Sequence, residues 1–524
     1  MLNLHLDNIA EKFPLKAALI LDDKTYTYAD LLSRTRNLAA SLLERGINPG
    51  DRVAFLLPNC PEIVVCYYAC FKIGAIAVPL NIRFDADLLR YVINHSGARV
   101  LISDPELFTQ LEKIRASLPE VEQYYVVCRH SDFGGVAPFS ELLEATLSVD
   151  RPPVCEESSP AAIYYTSGTT GLPKAVIHTH SSLARATSNQ IEQIGISADD
   201  RTLIMFSVCY LIGFGSQVLT FHSCGATCIL LRYFEPQLAL RAIQTYRPTK
   251  IYCFPKLYND LVNYPEAGQY NLRSLDFCFS AGEAIAVAIQ QRFNRIFGVE
   301  ITEGCGMTEL QIYSMNPPYG KKKAGSIGKS IVGMEVSLID DSGRPISQAG
   351  EIGEMIVRGG SMTTGYWRDP ELTARNIVEG WFHTGDLAYK DEEDFYWFVS
   401  RKSEIINHRA GLVSPIEVEG VLYQHPSVLE IGVIGVPDKC GGELVQAHVV
   451  LKESSAPVRQ EQLVDFARMH LAEYKVPDQI IFSEKLPYGP TGKIDRKTLR
   501  ENALRQIERE SFDSRHLSDH HQGE

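Results

Sequence analysis

An α/β fold is predicted, with a large multi-sheet N-terminal domain followed by a small α+β C-terminal domain, and three observations predict it. The chain has 524 residues, more than a single hydrophobic core ordinarily organises. Short apolar runs alternate with amphipathic stretches, the rhythm of helices covering a largely parallel sheet. Past Trp381 the character changes, and a polar, basic segment precedes a second compact pattern of strands and helices.

Toward the N-terminus, residues 53–57, 75–78, 100–102 and 124–127 read as buried strands, while 28–43 and 86–94 carry helical periodicity. Residues 161–165 and 175–177 are apolar strand candidates on either side of a Ser/Thr/Gly stretch. Residues 203–231 carry no formal charge, yet Ser207, Gly213, Gly215, Ser216, Gln217, Thr220, His222 and Ser223 interrupt the apolar run. A buried sheet-and-helix segment lining a pocket is therefore expected there, without a membrane span. After the acidic turn 391–394 the segment 400–414 is polar and basic. Ser414-Pro415-Ile416-Glu417 has the form of a capping box with proline at the first helical position, so a helix should run from there toward Tyr423. Strands at 430–436 and 447–451, a helix at 458–472 and a last strand at 479–482 complete the small domain. The expected division is 1–402 and 403–507, with 508–524 a disordered tail rich in Asp, Glu, Ser and His.

Composition narrows the function. With 45% hydrophobic and 22% charged residues the chain is an ordinary globular protein, and a net charge of −13 argues against a nucleic-acid surface. The twelve cysteines form no C-x-x-C pair, and their apolar settings suit reduced thiols in a core, which implies a cytoplasmic address. The N-terminus has no apolar stretch of signal-peptide length. His178 and His180 could share a strand face, but no third ligand lies at suitable spacing and no metal pair is assigned.

Residues 165–176 read YTSGTTGLPKAV. Thr166, Ser167, Gly168, Thr169, Thr170 and Gly171 leave backbone N–H groups free to wrap phosphate oxygens, and Lys174 adds a mobile positive charge. This is not a Walker loop, because Gly168 and Gly171 are too close and no Ser or Thr follows Lys174. Four further motifs follow in order: SAGEAI at 280, EGCGMTE at 303, GWFHTGD at 380 and PTGKIDR at 490.

On these five motifs, spread over nearly the whole chain, the sequence resembles the adenylate-forming superfamily of acyl-CoA synthetases, peptide-synthetase adenylation domains and beetle luciferases. The resemblance implies ATP, Mg²⁺ and CoA, or the phosphopantetheine of a carrier protein, as cofactors. It implies Glu309 as the Mg²⁺ ligand, Thr308 as an α-phosphate contact, Asp386 on the ribose hydroxyls with Arg401 beside it, and Lys493 as the adenylation lysine. Gly282, Glu283, Ala284, Glu303, Gly304, Cys305 and Gly306 are the matching nucleotide-binding positions, and Tyr210, Gly213, Cys278 and Met307 the acid-pocket positions. The same resemblance places Ser403 at the hinge on which the small domain of the family swings.

Some residues depart from the family pattern. Ser403 stands where Asp or Lys is usual, and Ala410 where a glycine normally lies beside the pantetheine tunnel, with Gly411 one residue late. Cys305 replaces an aromatic that stacks on adenine, and Ala175 a common glycine. Ser207 follows Phe206 where amino-acid-activating relatives carry an aspartate, so an amino acid is disfavoured. The uncharged wall at 203–231, with Phe277, Phe279 and Met307, suggests an apolar tail, aliphatic or aromatic. The expected reaction is acid activation as acyl-AMP and transfer to CoA. Transfer to an acyl-carrier protein, or a non-catalytic nucleotide-binding relative, are the alternatives.

Overall fold

The computed structural model describes residues 2–128, 132–144, 153, 155–166, 172–452, 458–489 and 493–520, with side chains to 509. Two compact units are distinguished: one of residues 1–283, 291–337 and 356–384, the other of 284–290, 338–355 and 385–524. Asp386 and Arg401 accordingly fall in the C-terminal unit.

The N-terminal unit holds two large sheets. In the nine-stranded one, Ala17–Leu21, Thr227–Leu230, Arg201–Ile204, Lys250–Cys253, Phe277–Ser280 and Ile301–Met307 run parallel. Gln311–Met315 returns antiparallel at one edge. In the eight-stranded sheet, Ile76–Pro79, Arg52–Leu56, Ala98–Ser103 and Gln123–Val126 are parallel, and Pro160–Thr166 continues them beside Ile76–Pro79. Parallel strands buried on both faces need near-continuous apolar sequence, and Val53 to Leu57 are all at most 1% exposed. The helices Tyr28–Glu44 and Ala86–Ser96 stand where periodicity placed them. Their starts are fixed by side-chain caps, Thr27 on the Asp30 amide and Asp85 on the Leu88 amide.

The uncharged segment folds as a strand, Arg201–Ile204, a π-helical stretch, Ile212–Leu219, a short helix, Thr220–Ser223, and the strand Thr227–Leu230. Gly213 permits the wide turn to pack tightly, since a Cβ there would lie 2.5 Å from the Ser207 carbonyl oxygen. No helix among the described residues is long and apolar enough to cross a membrane.

In the C-terminal unit, Ser414 accepts a hydrogen bond from the Glu417 amide and starts the helix Pro415–Leu422. The strands Val428–Pro437, Glu443–Leu451 and Gln479–Phe482 share a sheet with the hairpin Ile406–His408 and Gly411–Val413. The helix Gln460–Arg468 is shorter than the expected 458–472. Where a disordered tail was expected from residue 508, the backbone is helical over Arg496–His520. No Gly or Pro interrupts that stretch, and Lys497–Glu501 and Glu501–Arg505 pair across helical turns.

Candidate nucleotide and acid site

Parallel α/β sheets place ligands beyond the carboxyl ends of their strands. In the nine-stranded sheet those ends lead into the loops carrying Tyr210, Gly282 with Glu283, and Thr308 with Glu309. In the eight-stranded sheet, Pro160–Thr166 ends at the glycine-rich loop, whose Ser167, Gly168, Thr169, Thr170 and Gly171 lie outside the described residues. The flanking register is fixed, for Lys174–Thr179 returns antiparallel with Thr166 opposite Lys174.

Thr308 and Glu309 form the tip of a tight hairpin. Leu310 N–H donates to the Met307 carbonyl at 3.1 Å, Met307 faces Gln311, and Gln311 takes a φ of +61°. The strands meet so closely that a Cβ at Gly306 would lie 2.7 Å from the Gln311 carbonyl oxygen, and one at Gly304 would lie 2.6 Å from that of Ser314. This is why the motif needs glycine at both places. Cys305, between them, is half-buried with its sulfur 3.0 Å from the Tyr313 hydroxyl.

Two contacts hold the tip from the other sheet. The His178 Nε2–H donates to the Thr308 carbonyl at 2.6 Å, while Nδ1 faces the Ser182 hydroxyl at 3.0 Å. Burial lowers the His178 pKa to about 4, so the ring is neutral, and the carbonyl fixes the proton on Nε2. Tyr366, opposite Val176 in the same sheet as Lys174, donates its hydroxyl proton to Glu309 Oε1 at 2.9 Å. Burial first, and then the Glu309 charge, push the Tyr366 phenol well up, which keeps it a donor. The Lys174 ammonium lies 6.0 Å from the Tyr366 ring centre, at the limit of cation–π attraction. Tyr366 thus contacts Glu309 through its hydroxyl and has Lys174 near its ring. Tyr366 and the role of His178 were missed, since each acts on residues far along the chain.

Glu309 is 6% exposed. No group of three or more His, Cys, Asp or Glu that could hold a metal exists among the described residues. A divalent ion here would take Glu309 and complete its shell with phosphate and water oxygens, the manner in which Mg²⁺ is ordinarily held beside nucleotides.

The acid-pocket positions are apolar apart from one hydroxyl. Cys278 is fully buried on Phe277–Ser280, Met307 is half-buried, and Tyr210 receives a hydrogen bond from Asn81 Nδ2 at 3.1 Å. Glu303 is buried opposite Ser280. Gly282, at a φ of +95°, turns the chain beyond the strand.

In the C-terminal unit, Asp386 is 4% exposed and pairs in register with Arg401, whose Nε lies 3.3 Å from Asp386 Oδ1. Ala284 belongs to this unit by the division above. Ser403 is exposed in the turn after Tyr396–Arg401, where Glu404 N–H donates to the Arg401 carbonyl at 3.0 Å. His408 pairs with Gly411, so Arg409 and Ala410 are a two-residue loop; the glycine-only φ of +149° falls at Gly411, and Ala410 needs none. Lys493 closes a turn in which Gly489 N–H donates to the Lys493 carbonyl at 2.8 Å; Pro490, Thr491 and Gly492 lie outside the described residues.

The chain belongs to the AMP-binding enzyme family, whose model matches residues 6–367, with the AMP-binding enzyme C-terminal domain matching 417–493. It is 33% identical to a long-chain-fatty-acid–CoA ligase of Bacillus subtilis (strain 168), covering 95% of this chain and 93% of that protein. It is 32% identical to a crotonobetaine/carnitine–CoA ligase of Escherichia coli (strain K12 / DH10B), covering 94% and 98%. Among solved structures, an anthranilate CoA ligase in complex with anthranoyl-AMP superposes with a TM-score of 0.90 at 30% identity, covering 96% and 97% of the two chains.

Proposed function

We propose that this enzyme activates an apolar carboxylic acid, fatty or aryl, with ATP to give acyl-AMP and pyrophosphate, and then transfers the acyl group to CoA, releasing AMP. The observation that carries the proposal is the meeting of Lys174 with the Thr308–Glu309 tip through Tyr366.

Activation joins two anions, because a carboxylate oxygen must attack the α-phosphorus. Their repulsion has to be offset by fixed donors and cations. Lys174 lies on the side of the glycine-rich loop and grips the leaving pyrophosphate. Thr308, its carbonyl pinned by His178, offers its hydroxyl to the α-phosphate. Glu309 would hold Mg²⁺, which supplies charge neutralisation of the phosphates when bound. Asp386 accepts hydrogen bonds from the ribose hydroxyls, for which two carboxylate oxygens suit. Lys493 brings an ammonium to the carboxylate and the bridging oxygen. In the second half reaction the C-terminal unit turns about Ser403, and the hairpin at Ala410–Gly411 borders the thiol's path.

CoA is preferred over an acyl-carrier protein, since the net charge of −13 disfavours an acidic partner. The expected compartment is the cytoplasm. Pyrophosphate release should be measured across aliphatic and aryl acids, with CoA and then with carrier protein. Release with an apolar acid and thioester formation with CoA support the reading, whereas carrier-only thioester formation would move it to the carrier ligase. Release with no acid would defeat it.

A further inference from the structure

We propose that Tyr366 is a positioning residue that fixes which oxygen of Glu309 faces a divalent cation; the inference rests on the ligase reading given above. Residues 363–376 clasp Glu309 at both backbone and side chain. Thr363 N–H donates to the Glu309 carbonyl at 2.6 Å, and the Tyr366 hydroxyl donates to Glu309 Oε1 at 2.9 Å. The clasp is itself anchored. Tyr366 N–H donates to Thr373 Oγ1 at 2.9 Å, Asp369 caps the helix Pro370–Asn376 through the Leu372 amide, and a Cβ at Gly365 would lie 2.5 Å from Thr373.

A phenol has one proton and accepts through its lone pairs. Asn376 Nδ2 donates to the Tyr366 oxygen at 3.4 Å, so the phenol proton is directed onto Oε1. The phenol occupies one lone pair of Oε1, which favours Oε2 for a single-oxygen contact with the cation. One-oxygen ligation suits Mg²⁺ and Mn²⁺, which demand near-octahedral shells, whereas Ca²⁺ readily takes both oxygens of a carboxylate. Tyr366 thus orients the carboxylate and sets the preference for the smaller ion.

The test is Mn²⁺ binding measured by electron paramagnetic resonance, with α,β-methylene-ATP present, followed by competition with Mg²⁺ and Ca²⁺. Tyr366→Phe should weaken Mn²⁺ about tenfold or more, in the range seen for groups that orient metal ligands, and raise the Ca²⁺/Mg²⁺ affinity ratio. In a Glu309→Gln background the same substitution should change neither. Unchanged affinity and ratio in Tyr366→Phe, or an equal loss in the Glu309→Gln background, overturns the inference. Should Tyr366→Phe fail to fold, Asn376→Leu, which removes only the donor to the phenol, should shift both readings in the same direction by less; no shift overturns the inference. Absence of nucleotide-dependent Mn²⁺ binding in the wild type removes the cation site itself, a failure distinct from one confined to Tyr366.

Discussion

Replacing His178 probes the hairpin tip without touching any group expected to meet ATP. The ring is buried and neutral, and its Nε2–H donates to the Thr308 carbonyl at 2.6 Å. His178→Leu fills a similar volume but withdraws that donor and also leaves the Ser182 hydroxyl facing carbon. Leaving a buried acceptor without its donor costs about 1–3 kcal/mol. Displacement of Thr308 should further lower exchange between ATP and pyrophosphate by about tenfold to a hundredfold, the penalty for small misplacement in an active site. His178→Gln, whose amide N–H can reach the same carbonyl, should recover most of both losses. Urea denaturation and acid-dependent exchange are the assays. A His178→Leu variant with unaltered stability and exchange, or a Gln variant no better than Leu, would rule out this role for His178.

Other outcomes follow from the same geometry. Lys493→Ala should abolish most acid-dependent exchange yet still form thioester from supplied acyl-AMP; undiminished exchange would sink its role. Ser403→Pro should spare adenylation and block thiolation, and equal loss of both would count against that hinge. Gly306→Ala should destabilise by about 1–3 kcal/mol, because the added Cβ must push neighbouring backbone strands apart; a neutral change in denaturation midpoint would contradict the close packing. Burial lowers His178, His180 and His222 to about 4 in the folded state. The unfolded chain, with histidines near 6.5, therefore binds more protons between these values, so stability is full above about pH 6.5 and falls by about 3 kcal/mol per ring as the pH approaches 4. His180, whose ring nitrogens have no hydrogen-bond partner among the described residues, offers a check: His180→Leu should be nearly neutral at pH 7.5 and lessen the acid loss, and a stability unchanged from pH 7.5 to 4.5 in the wild type would refute the effect.

Much of this was legible in the sequence because the governing interactions are local. Apolar runs marked the buried parallel strands, and Ser414 and Pro415 marked a helix start; the hairpin that needs the glycines of EGCGMTE emerged only with the strand pairing. Lys174, Thr308 and Glu309 could be chosen from their motifs. Tyr366 could not, since it reaches Glu309 from 57 positions away through a two-residue strand, Gly365–Tyr366, too short to leave a periodic signal. His178 was visible only as a possible metal partner of His180; its bond to a carbonyl 130 positions away depends on how two sheets meet. The π-helical turn at Ile212–Leu219 was likewise hidden, because composition there shows burial and small residues without showing the wider hydrogen-bond spacing. The helix Arg496–His520 was also not read, because its polar composition hides an uninterrupted helical propensity.

In the proposed reaction ATP is cleaved between the α- and β-phosphates by a carboxylic acid. Exchange of labelled pyrophosphate into ATP, run without CoA over a panel of fatty and aryl acids, tests it most directly. Exchange should depend on an apolar acid and be lost in Lys493→Ala. Exchange independent of acid, or ATP converted instead to ADP and phosphate, would contradict it.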